Sequence, residues 1–132
     1  MFFTKLASRS ACVAMVAPWA AAASAQSFFE QQTSGNLRLV RGVEVSKQCD
    51  LVDESTRARA LLTLKKTMLR QQTQAHISDE DAQIGAKFDA ALAEGKAMSA
   101  DRCEWFKKHP DVAAHQIELV ETLAYGGAEK PK

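Results

Sequence analysis

Two cysteines, Cys49 and Cys103, constrain this chain more than any other feature, because a bond between them would fix two segments 54 positions apart within a few ångströms of each other. The chain holds three cysteines, so pairing these two requires a fate for Cys12. Residues 1–25 supply it. Lys5 and Arg9 precede an apolar run, "ACVAMVAPWAAAA" from Ala11 to Ala23, and Ala23-Ser24-Ala25 follows as an A-x-A cleavage site. This reads as a secretory signal peptide cleaved after Ala25, and the expected location is the periplasm or the exterior. Thirteen apolar residues interrupted by Pro18 fall short of the roughly 20 that a membrane-spanning helix needs. Cys12 lies ahead of most of the apolar run, an unsuitable place for lipid attachment. Cleavage removes it, leaving an even pair in an oxidising compartment, where one structural disulfide is the usual outcome. In the chain-entropy model, closing so long a loop is worth about 4 kcal/mol.

The competing reading makes Cys103 a reactive thiol in "DRCEWF", with Arg102 and Lys107 nearby to lower its pKa. Neither cysteine belongs to a C-x-x-C, and no His or Asp is spaced to complete a nucleophilic set. The disulfide is the favoured reading. Other chemistry finds little support. His76, His109 and His115 form no metal motif, and the acids Asp79, Glu80 and Asp81 lack the spacing of a calcium loop. The sequence contains no G-x-S-x-G, no phosphate loop and no H-E-x-x-H, so no cofactor, metal or enzymatic activity is expected. With 17 basic and 16 acidic side chains spread along the chain, there is no electrostatic footprint for nucleic acid.

Periodicity predicts an all-α domain of four to five helices with short connections, in which neighbours pack antiparallel. Gln26 to Asn36 is mostly polar and ends in Ser-Gly-Asn, which predicts a flexible lead-in over residues 26–36. Within it Phe28 and Phe29 either dock onto the body, the favoured reading, or contact a partner. The helical domain is expected over residues 37–125, with a first helix from about Leu37 to Asp50 in which Gly42 is a weak point. A long amphipathic helix follows Asp53, with Ala58, Leu61, Leu62, Met68, Leu69 and Ala75 as its apolar stripe. Ser78 caps a helix expected to run to Glu94 and stop at Gly95. Ser99 is read as the cap of a short fourth helix, and Pro110 as the start of a last one ending at Gly126-Gly127. A flexible tail is expected over residues 126–132.

Trp105 and Phe106 lie about 100° apart on any helix, so one of them is expected against the disulfide, Trp105 being favoured, and the other in the main core. An exposed aromatic there would mark a binding surface. In outline, with a leader, a short helical domain and two distant cysteines, the chain resembles the periplasmic acid-stress chaperones of enteric bacteria. No motif is shared, so the resemblance assigns no residue a role. The preferred functional expectation is a non-enzymatic binding module that engages another envelope protein through Phe28, Phe29, Trp105 or Phe106, without a stable membrane anchor. The alternative is an acid-stress chaperone: protonating its carboxylates would leave the chain strongly positive, and the disulfide would limit the expansion.

Overall fold

A computed structural model describes residues 2–126, with side chains described from Ser24 onward. The fold is all-α: α1 (Phe2–Gln48), α2 (Glu54–Gln74), the single-turn α3 (Asp79–Ala82), α4 (Ile84–Lys108) and α5 (Pro110–Tyr125). Among the described residues no helix is long and apolar enough to cross a membrane. Residues 127–132, most of the expected tail, and the side chains of Lys5, Arg9 and Cys12 lie outside the described part.

Local chemistry explains most of the boundaries. The Asp53 side chain accepts a bond from the Thr56 N–H at 2.8 Å, and Ser78 Oγ accepts one from the Asp81 N–H at 3.1 Å, so both serve as N-caps. Pro110 opens α5, and Gly126 closes it at a φ of 63°. The ends of α1 and α2 carry no glycine. Asp50 and His76, each at a φ of 56°, take the left-handed position instead. The Leu51 N–H then reaches Ser46 O at 2.9 Å and the Ile77 N–H reaches Gln72 O at 3.2 Å, which satisfies the last carbonyls of each helix.

Three expectations about helix limits are overturned. Residues 26–36 are helical rather than a flexible lead-in. Phe29, Thr33, Leu37 and Val40 repeat at helical spacing and turn inward, Phe29 being only 3% exposed. Asn36 Nδ2 donates to Gln71 Oε1 of α2 at 2.8 Å. That burial and bonding outweigh the roughly 1 kcal/mol that Gly35 costs inside a helix. The helix expected to run from Ser78 to Glu94 is broken at Gln83, whose φ is 47°. Finally, α4 passes through Gly95 without stopping, and Ser99 Oγ, instead of capping, donates to Gly95 O at 2.8 Å.

Gly95 is a contact point between helices. A Cβ there would lie 2.8 Å from Arg41 O and 3.2 Å from Arg41 Cα, so α1 and α4 approach backbone to backbone. Gly35 has nothing within 4 Å of the corresponding position. Gly95→Ala should therefore lose about 1–3 kcal/mol to overpacking, while Gly35→Ala should gain about 1 kcal/mol from helix propensity. Urea denaturation of the two variants checks this. Equal effects would mean that the α1–α4 contact is loose enough to absorb a methyl group.

The core gathers Phe29, Val40 and Val43 of α1, Leu64 and Met68 of α2, Phe88 and Ala91 of α4, and Val120 of α5. The α2 stripe is rotated from the expected one. Thr56, Ala60, Leu61, Leu64, Met68 and Gln72 are buried, whereas Ala58, Leu62 and Leu69 are exposed. Thr56 and Gln72 explain the difference, because both are buried polar groups that hydrophobic periodicity cannot weigh. Thr56 Oγ1 and the Tyr125 hydroxyl share a bond at 3.0 Å, and Gln72 Nε2 donates to Ile77 O at 3.0 Å and to Asp79 Oδ1 at 2.7 Å. Directions also differ from a simple hairpin array. Pairs 36–71 and 44–57 make α2 antiparallel to α1, but pairs 41–94 and 49–103 make α4 parallel to α1.

Candidate binding groove

Cys49 and Cys103 form the disulfide, with their Cα atoms 5.2 Å apart, so neither is available as a nucleophile. The bond ties the end of α1 to the last turns of α4. Trp105 follows Cys103 by two positions, which turns it about 200° around the helix, away from the bridge. Phe106, three positions on, shares the face of Cys103, and it is the buried one, 9% exposed. Trp105 is 38% exposed. The favoured assignment of these two residues is therefore corrected: helical phase gives the bridge side to Phe106 and the outside to Trp105.

Its exposure does not leave Trp105 loose. The indole stacks on the His109 ring at 4.4 Å between centroids, meets Phe106 edge-on at 5.6 Å, and has the Arg102 guanidinium 5.9 Å from its centre. His109 Nδ1 is 2.9 Å from Trp105 O. Arg102, Trp105, Phe106 and His109 stand at i, i+3, i+4 and i+7, so one face of the end of α4 holds the tryptophan in a defined position. Pro110 makes the chain turn immediately afterwards and sends α5 back across the bundle.

Because α5 packs mainly on α2, it leaves a groove of about 390 Å³ between itself, α1 and the end of α4. Gln116 fixes the separation. Its Nε2 donates to Gly42 O and to Ser46 Oγ, both at 3.2 Å, and Ser46 Oγ donates in turn to Gly42 O at 2.8 Å. A Cβ on Gly42 would meet Gln116 Nε2 at 3.0 Å, so this glycine, expected as a weak point of the helix, is where α5 crosses α1. Val45, Met98, Val112, Leu119 and Leu123 give the groove an apolar lining, and Trp105 stands at one side. The charged residues that line it are Arg38, Arg41 and Arg102, with no Asp or Glu. Arg41 is engaged with Glu94 at 3.1 Å.

The other aromatic candidates separate. Phe29 is buried away from the groove, and Phe106, 9% exposed, is part of the groove lining. Phe28 is 61% exposed, but it lies about 30 Å along α1 from the disulfide end, so it shares no site with Trp105. A second cavity of about 230 Å³ lies among Phe29, Thr33, Leu37 and Lys87. Thr33 Oγ1, beside it, is the only buried side-chain polar atom without a partner among the described residues. Among the described residues no group of three or more His, Cys, Asp or Glu side chains is placed so that it could hold a metal ion. Sequence reasoning singled out Trp105 but missed Leu119, Met98 and Gln116. Leu119 carried a signal: it follows Val112 by seven positions and therefore shares its face of α5, beside the groove.

Comparison with known proteins gives no match to a family model, to a curated protein or to a solved structure. The groove has to be read from its own chemistry.

Proposed function

We propose that this chain is an exported, non-enzymatic binding module whose working surface is the groove between α1, α4 and α5, and that it engages an apolar segment of another envelope protein. The observation that carries this reading is the combination of an open apolar groove with a partly exposed tryptophan stacked on His109 at its side. Aromatic anchors beside apolar pockets dominate protein recognition, and a preorganised tryptophan loses little entropy on contact. A cavity of about 150 Å³ accommodates benzene, so the groove has room for two or three apolar side chains. Export is supported by the leader-like residues 1–25 and by the disulfide, a bond that persists in oxidising compartments.

The test uses the full chain with Trp19→Phe, which leaves Trp105 as the only tryptophan. The probe is a 12-residue helical peptide with leucines at i, i+3, i+4 and i+7 and glutamines elsewhere. Binding should shift Trp105 emission to the blue with a Kd below about 100 μM, and Leu119→Glu should abolish the shift. Leu62→Glu, on the exposed side of α2, should leave it intact. No shift at millimolar peptide, or equal loss in both variants, would count against the groove as the binding surface.

A further inference from the structure

Resting on the reading of the groove as a protein-binding surface, we infer that its partner is an acidic amphipathic helix, two to three turns long, whose carboxylates meet Arg38 and Arg102. The groove is walled by helices whose backbone groups are already bonded within them. An extended peptide would bring free N–H and C=O groups against an apolar lining with almost nothing to pair them, whereas a helix satisfies its own. This favours a helical partner over an added strand.

The dimensions agree. The lining runs from Met98 to Phe106 on α4 and from Val112 to Leu123 on α5, spans of about 12 and 16 Å at 1.5 Å per residue. That length accommodates eight to eleven residues of a docked helix, enough for anchors at i, i+3, i+4 and i+7.

Charge selects among helices. The whole chain is nearly neutral, at a formal +1, yet the groove carries three arginines and no acid. Glu94 occupies Arg41 from outside the lining. Arg102 lies over the face of Trp105 and has no carboxylate partner among the described residues, and Arg38 has no ion-pair partner there either. Two guanidiniums beside an apolar trough complement carboxylates flanking an apolar stripe, and guanidinium can grip them with two parallel bonds. Such rim charges mainly set specificity and association rate, while apolar burial supplies affinity.

The experiment compares three peptides with the same leucine face and with glutamate, glutamine or lysine at the flanking positions, using the single-tryptophan full chain at low salt. The glutamate peptide should bind at least roughly fivefold tighter than the glutamine one, and the lysine peptide more weakly than either. The glutamate advantage should shrink severalfold in 0.5 M NaCl and disappear in Arg38→Gln/Arg102→Gln, so that the glutamate and glutamine peptides bind that variant with equal affinity. Equal binding of all three peptides would overturn the charge assignment and leave the groove reading standing. A preference for glutamate that survives the double substitution would overturn the assignment to these arginines. If no peptide binds, or if the chain alone sediments as a dimer with Trp105 emission already blue-shifted, the groove is not a site for such a partner and both readings fall.

Discussion

Reducing the Cys49–Cys103 bond should lower the stability of the chain by about 4 kcal/mol, seen as a large drop in the urea midpoint between oxidised and reduced protein. The bond closes a loop that contains all of α2 and α3, and its cost when absent falls on the unfolded chain, which gains freedom it did not have. α1 and α4 run parallel and are separated in sequence by two other helices, so no short connection keeps their ends together. The loss matters because a whole domain of this size is worth only about 5–15 kcal/mol. Cys49→Ala/Cys103→Ala should match the reduced protein within about 1 kcal/mol, which separates the covalent effect from any effect of the reductant. If oxidised and reduced samples unfold at the same urea concentration, the bond constrains nothing, and the parallel packing of α1 on α4 is sufficient alone.

The pairing of these cysteines was legible because it rests on counting and compartment rather than on conformation. The caps at Asp53, Ser78 and Pro110 were equally legible, since each is a local signal read in place. Glycine was misread as a helix limit at Gly35 and Gly95, and the role of Gly42, inside the helix expected there, was not legible. Gly35 stands inside a helix held by Phe29, Gly42 marks the crossing with α5, and Gly95 marks the contact with α1. All three lie in α-helix, and the reason is tertiary: a missing Cβ admits a neighbour at Gly42 and Gly95, while burial of the adjoining face overrides propensity at Gly35. The end of α1 falls within two residues of the one expected at Asp50, but the left-handed caps at Asp50 and His76 were not legible, because those residues carry no strong stop signal. In the groove, Trp105 was legible as a position to inspect, but its outward direction follows from its phase relative to Cys103. The groove itself depends on α5 packing against α2 rather than α4, which no local pattern encodes.

Arg57→Met should destabilise the chain by about 3–5 kcal/mol, because it leaves the carboxylate of Glu44 buried without a counterion. Glu44 projects from α1 beneath α2, with its side chain 5% exposed, and its Cβ would lie 2.9 Å from a Cβ built on Gly95 of α4. Arg57 Nε donates to Glu44 Oε2 at 2.6 Å, Arg57 Nη1 donates to Glu54 Oε1 at 3.0 Å, and Gln48 Nε2 donates to Glu44 Oε1 at 3.2 Å. Burial works against the guanidinium charge, but the bonds and charges of Glu44 and then Glu54 outweigh it and raise the Arg57 pKa above its ordinary value. The sign is clear. A raised pKa means that the stabilisation is complete below the ordinary arginine value and is lost only in strong alkali, so Arg57 stays charged across the physiological range. Substitution is therefore the way to remove the charge. Glu44→Met/Arg57→Met, which removes both charges and restores apolar volume, should return most of the lost stability, since a well-packed apolar pair often equals a buried ion pair. A double-mutant cycle by urea denataturation measures the coupling directly. If Arg57→Met costs less than about 1 kcal/mol, water reaches Glu44 readily and the α1–α2 seam is not sealed around it. If the double variant is as unstable as Arg57→Met alone, the loss comes from the packing of the arginine stem rather than from the stranded charge.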